Sequence, residues 1–134
     1  MILISCVENA LGLRFNHRRC SRDRAACGRM LQRAGNELWL AEGSVGLFRE
    51  FPEAVLHTVS GLSQVPEGAF CFWEAPAPEA EPEKLLLYLW NRDYPSDEAF
   101  VFPGGEAGWH LTEETDIEGF SHPQITERLY EKGE

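Results

Sequence analysis

Between Arg14 and Arg33 the chain carries seven arginines and a single acid, Asp23, although its formal net charge is −10. The stretch sums to +6 and the rest of the chain to −16. A basic strip on a self-repelling acidic body is suited to holding an anion. Within Phe15-Asn16-His17-Arg18-Arg19-Cys20-Ser21-Arg22-Asp23-Arg24, Arg18 and Arg19 supply charge-assisted donors and Asn16 a neutral hydrogen-bonding amide. Arg18, Arg19, Arg22 and Arg24 also lie just before or within the first turn of a helix, where each cation opposes the helix dipole by a few tenths of a kcal/mol or more. Something anionic must compensate: a ligand, or carboxylates of the acidic remainder. Asp23 favours the dipole and has the ordinary value of a helix-start acid. Arg29, two turns into the helix, lies too far along to share a ligand with Arg18 and Arg19.

A second patch is Trp90-Asn91-Arg92-Asp93-Tyr94, after the most apolar run of the chain. Arg92 and Tyr94 there could clamp a planar anion by stacking. The plain alternative packs Trp90 and Tyr94 in the core and pairs Arg92 with a neighbouring Asp. His17 and His122, with the arginines stabilising a phosphorane-like transition state, would make a metal-independent nuclease. A different account of Ser121-His122-Pro123 is a helix entrance, with Ser121 capping and Pro123 pre-setting φ. His57 and His110 lack the spacing of a zinc site. Cys6, Cys20, Cys27 and Cys71 form no CxxC pair and are expected as buried, reduced thiols.

These residues need a scaffold, and 134 residues suffice for one domain spanning 1–134. Met1 to Val7 has no basic n-region and reads as a first strand rather than a leader. The longest apolar run, Leu85–Trp90, is far short of a bilayer span. The expected location is the cytoplasm, with no membrane partner. At a pI near 4.8 general nucleic-acid binding is disfavoured.

Hydrophobic patterning then predicts strands at Ile2–Val7, Leu38–Leu40, Ala54–Val59, Ala69–Trp73 and Leu85–Trp90, with a continuation at Phe100–Phe102. It predicts a helix capped by Ser21 and ending at Gly35, and a helical turn over Ser44–Phe51. Ala75–Pro82, with three prolines, is a loop. A strand begins near Gly108. Over the C-terminal piece, Ile125, Leu129 and Tyr130 favour a helix over a strand. The order predicts an α/β fold with a mainly parallel central sheet, antiparallel C-terminal strands and flanking helices.

That order resembles dihydrofolate reductase. A short apolar strand runs into a turn with Gly12, an irregular loop leads to a helix whose first turn carries Asp23, and Tyr94-Pro95-Ser96-Asp97-Glu98-Ala99-Phe100 and Trp109-His110-Leu111 are similar to the family's later turn and strand. The resemblance implies that Asp23 reads the amidine-like edge of a bound heterocycle. It also exposes departures. Glu42 stands where the family's phosphate-holding arginine is wanted, and Phe72-Trp73-Glu74-Ala75 replaces a Gly-Gly pair beside the nicotinamide. No cofactor is therefore expected. A further resemblance, through Phe15–Arg24, Trp90–Asp97 and Ser121–Ile125, is to small uncharacterised proteins of anaerobic Gram-positive bacteria. Some carry a ribonuclease Z label, whose H-x-H-x-D-H metal cluster this chain lacks.

The expected function is binding of a small anionic or heterocyclic ligand through Asn16, Arg18, Arg19, Asp23, Arg92 and Tyr94, in a protein that could be a divergent enzyme. The alternatives are the His17/His122 nuclease and an interaction module whose basic helix docks an acidic partner or a second copy in a homodimer.

Overall fold

The structure, a computed structural model, describes residues 1–133. In chain order its strands are β1 (Ile2–Val7), β2 (Gly12–Phe15), β3 (Arg18–Arg19), β4 (Glu37–Leu40), β5 (Val55–Thr58), β6 (Phe70–Phe72), β7 (Lys84–Leu89), β8 (Glu98–Ala99), β9 (Trp109–Ile117) and β10 (Ile125–Lys132). The helix α1 (Arg24–Arg33) and short 3₁₀ segments at Glu42–Phe48, Leu62–Gln64 and Glu106–Gly108 connect them. Seven strands form the main sheet in the order β5-β4-β6-β1-β7-β10-β9. The first five run parallel, and β10 and β9 close the sheet antiparallel. The α/β architecture expected from the sequence is the one observed.

Strands β1 and β7 are apolar on both faces because both faces are covered, as a central parallel sheet requires. Ile2, Ile4, Leu86 and Tyr88 pack with Ala26, Cys27, Met30 and Leu31 of α1. Leu3, Val7, Leu85 and Leu87 pack on the opposite side with Leu13, Phe100, Phe102 and Trp109. A small second sheet, β3-β2-β8, lies beside the carboxyl end of β1. Its entry turn is held by Glu8, whose buried carboxylate accepts the N–H groups of Ala10 (3.1 Å) and Gly12 (2.6 Å). A Cβ on Gly12 would collide with this carboxylate and with Ser96, so the close approach requires glycine.

Several expectations are corrected. The C-terminal segment is the strand β10, not a helix, because Ile125, Glu127 and Leu129 all face α1 and Glu127 is a buried ion-pair partner there. Ser121-His122-Pro123 accordingly leads into a strand. The N-cap of α1 is Asp23 rather than Ser21, its side chain accepting the Ala25 N–H at 2.8 Å. The stretch before the helix is not irregular but a two-residue hairpin, β2 to β3, turned by Asn16 (φ 50°) and His17 (φ 62°). Phe100–Phe102 is core packing beyond β8 rather than a strand. The helical turn starts earlier, at Glu42, and is 3₁₀. No helix among the described residues is long and apolar enough to cross a membrane.

Candidate functional site

Register in the hairpin sets Arg14 opposite Arg19, an arrangement that like charges disfavour. Each is neutralised from outside the hairpin. Arg14 pairs with Glu98 of β8 at 2.6 Å. Arg19 forms two bonds to Glu74, just past the end of β6, at 2.7 and 2.9 Å. Glu74 also accepts the Ser44 hydroxyl at 2.6 Å. The next cations, Arg24, Arg29 and Arg33, meet Glu50, Glu127 and the pair Glu113/Glu127. The acidic remainder therefore supplies most of the compensation that the basic strip demands.

Arg18 and Arg22 are the exceptions. Both are exposed, and neither has a carboxylate within ion-pair reach among the described residues. They line an open groove of about 740 Å³ together with Ser21, Ser44, Trp73 and Glu74. Ala41, Gly43 and Ser44 follow β4, and Trp73 to Ala75 follow β6, so the groove lies at the carboxyl ends of two adjacent parallel strands. That is where open α/β sheets hold ligands.

Behind the groove is a polar cluster. Asp23, its side chain fully buried, accepts the N–H groups of Phe120 (2.9 Å), Ser121 (2.8 Å) and His122 (3.0 Å) as well as Ala25. Burial pushes its carboxyl up, but these bonds and the His122 ring outweigh burial and hold it well below the usual carboxylate range. Its neighbour Gly119 has no room for a Cβ, which would strike the His122 carbonyl. Because Oδ2 is an ionised acceptor, His122 donates its Nδ1–H to it at 2.9 Å. In the neutral ring Nε2 is then the acceptor, 3.0 Å from Ser21 Oγ and 3.1 Å from Tyr94 Oη. The imidazole is stacked on Trp90 at 4.7 Å.

The sequence-predicted residues are thus dispersed. Arg18 and Arg19 reach the groove, the second already paired. Asn16 is exposed at the hairpin tip, its N–H on Asp97 at 3.1 Å. Asp23 is behind the groove with its oxygens committed to protein donors. Tyr94 joins the His122 cluster, while Trp90 is in the core as the plain reading had it. Arg92 is exposed, away from the groove, without an ion pair to a neighbouring Asp. His17 and His122 are not brought together: one is at the exposed hairpin tip, the other buried. Sequence reasoning read Ser21 only as a cap, His122 as part of a helix entrance or of a nuclease pair with His17, and Glu74 only as an obstacle to a cofactor. The thiols are free, and burial pushes Cys27 and Cys71 up to about 12 and Cys6 well above its ordinary value, which keeps them protonated and inert. Among the described residues no three His, Cys, Asp or Glu side chains gather as a metal would need.

The fold has a counterpart among solved structures. Dihydrofolate reductase from Enterococcus faecalis, solved complexed with NADP(H) and RAB-propyl, superposes with a TM-score of 0.64 over 99% of this chain and 96% of that chain, at 8% sequence identity. The chain has a dihydrofolate-reductase-like fold. No protein-family model matches it, and no curated protein is detectably similar in sequence. The residues that the resemblance sets at the cofactor positions are Glu42 and Phe72-Trp73-Glu74-Ala75. Glu42 opens the 3₁₀ segment after β4, and the end of β6 presents the Trp73 indole and the Glu74 carboxylate to the groove instead of bare glycine backbone.

Proposed function

We propose that this protein is a one-domain cytoplasmic binder of a small anionic molecule, held in the groove at the carboxyl ends of β4 and β6. The observation that carries the reading is the pair Arg18 and Arg22, two guanidiniums without carboxylate partners among the described residues in a strip where the other arginines are paired. Arg19 and Glu74 form the polar floor, Ser44 and Ser21 add hydroxyls, and Trp73 offers a surface for a planar heterocycle. Asn16 at the hairpin tip is a flanking contact, and Asp23 and Tyr94 support the wall of the groove through His122. Arg92 takes no part.

A thermal-shift screen of phosphates, nucleotides, folates and carboxylates at low salt tests this. A ligand that binds only the folded state adds roughly 2.7 kcal/mol at a hundredfold excess over Kd. Arg18→Ala and Arg22→Ala should each weaken that stabilisation by about 1.5–3 kcal/mol, the worth of a charge-assisted hydrogen bond. Arg128→Ala, whose partner is Glu114 on β9, is the control. Arg29 does not serve as one, since it holds the buried Glu127. A screen in which no compound raises the midpoint, or in which the Arg128 variant loses as much as the other two, rejects the proposal.

NADPH is expected to fail in the same assay. Its pyrophosphate and 2′-phosphate would meet Glu42 and Glu74, and like charges at close range repel by several kcal/mol outside bulk water. Calorimetry should give no saturable heat, and a micromolar Kd for NADPH would overturn this expectation.

A further inference from the structure

We propose that Ser21, His122 and Asp23 form a serine-nucleophile triad that cleaves small esters in the wall of the arginine groove. Three independent features of the cluster support it. First, the two hydrogen bonds run in the order that nucleophilic catalysis uses: Ser21 Oγ to His122 Nε2 at 3.0 Å, and His122 Nδ1 to Asp23 Oδ2 at 2.9 Å. Second, the orienting carboxylate is preorganised beyond what a helix cap requires. A single N–H satisfies the capping role of Asp23, yet three more from residues 120–122 fix it and hold the histidine backbone in place. The ring cannot swing, because Trp90 stacks on its face. Third, burial is graded along the triad. Asp23 and His122 are sealed from solvent, whereas Ser21 is partly exposed and lines the groove.

Tyr94 Oη is also 3.1 Å from Nε2. In the resting state it shares the nitrogen with Ser21 and so positions the ring. It lies outside the groove lining, so Ser21 is the hydroxyl that a ligand in the groove would meet. Arg19 is spent on Glu74, but Arg18 and Arg22, unpaired among the described residues, bring positive charge to the same groove, and the amino end of α1 lies just beyond Ser21. All three favour the negative charge that develops on an attacked carbonyl oxygen.

In the step proposed, Ser21 Oγ bonds to the acyl carbon of an ester while its proton passes to His122 Nε2. The bond from that carbon to the alcohol oxygen then breaks, and the alcohol departs with the Nε2 proton. Water attacks the acyl-serine, gives a proton to Nε2, and releases the carboxylic acid as Ser21 recovers its hydrogen. Asp23 stays ionised throughout and acts as a positioning residue. The nucleophile rests on the triad geometry alone. Only the substrate class, an ester carrying a carboxylate or phosphate, rests on the anion-binding reading of the groove.

Two probes separate these layers. A neutral alkyl fluorophosphonate, followed by peptide mass spectrometry of the full chain, asks whether Ser21 is a nucleophile. Ser21 should be modified on the order of 100-fold faster than Ser5, Ser44, Ser60, Ser63, Ser96 or Ser121. Ser21→Ala should abolish the adduct, and His122→Gln should slow it on the order of 100-fold. Should the buried His122 substitution fail to fold, the selectivity for Ser21 among the serines of the native protein decides the matter. Modification of Ser21 no faster than of the other serines overturns the triad and leaves the groove proposal standing. The second probe compares 4-nitrophenyl acetate with the mono-4-nitrophenyl ester of succinic acid. A preference of about tenfold or more for the anionic ester, lost in Arg18→Ala and Arg22→Ala, supports the substrate class. Turnover of both esters at equal rates overturns that class while the nucleophile stands.

Discussion

Asp23→Ala should come close to unfolding the protein. The carboxylate satisfies four backbone N–H groups, those of Ala25, Phe120, Ser121 and His122, in a site its side chain shares with no solvent. An unsatisfied buried donor costs about 1–3 kcal/mol, so even with partial relaxation the loss should reach about 4 kcal/mol. That lies in the range reserved for broken buried networks. Urea denaturation is the measurement. The pH dependence should change with it, because a carboxyl held below its ordinary value contributes stability that is complete above the unfolded-state pKa and is lost as pH falls through the folded one. The acid limb of the wild-type stability curve should therefore be steep, and that of Asp23→Ala flatter. A loss below about 1 kcal/mol would show that the 119–122 loop is held by other means.

The second large effect is expected at Arg29, on the far side of the same helix. Glu127 is only 1% exposed and accepts bonds from Arg29 (2.8 and 3.0 Å), Arg33 (2.9 Å) and Tyr88 (2.7 Å). Burial pushes its carboxyl up, and the two guanidiniums and the phenol more than offset that, holding it at about 2. Its contribution is fully present above the unfolded value of roughly 4.3 and is lost as pH drops towards 2. Breaking a buried ion pair from one side typically costs about 3–5 kcal/mol. With Arg33 still in place, Arg29→Ala should sit near the lower end, a fall in Tm on the order of 10 °C. Arg29→Lys keeps the charge but loses the paired bonds and should fall in between. If all three proteins melt together, Glu127 is held by Arg33 and Tyr88 alone.

Glu127 also explains what could and could not be read from the residues. Strands β1 and β7 were legible because a strand covered on both faces is a continuous apolar run, and Ile2–Val7 and Leu85–Trp90 are that. The C-terminal strand was not, because alternation is judged by hydropathy and its middle inward position is an acid. The arginine strip was visible as charge, but its partners Glu74, Glu98 and Glu127 lie 55 to 98 residues away, and spacing carries no signal over that distance. The same holds for the cluster behind the groove. Ser21 and Asp23 lie within the strip, yet the histidine that joins them is about a hundred residues downstream. Nothing local to Ser121-His122-Pro123 distinguishes it from a helix entrance.

Those long separations set a timetable for the chain as it is made. The helix and its seven-arginine neighbourhood emerge from the ribosome first, whereas the residues that hold its Asp23 cap and neutralise Arg29, 120–122 and Glu127, follow about a hundred residues later. The central strand β7 must likewise wait between β1, made first, and β10, made last. Native pairing is mostly non-local, which places folding towards the slow end for domains of this size. Until β9 and β10 arrive, the +6 segment therefore lacks the carboxylates of Glu113 and Glu127 that Arg29 and Arg33 meet in the folded protein.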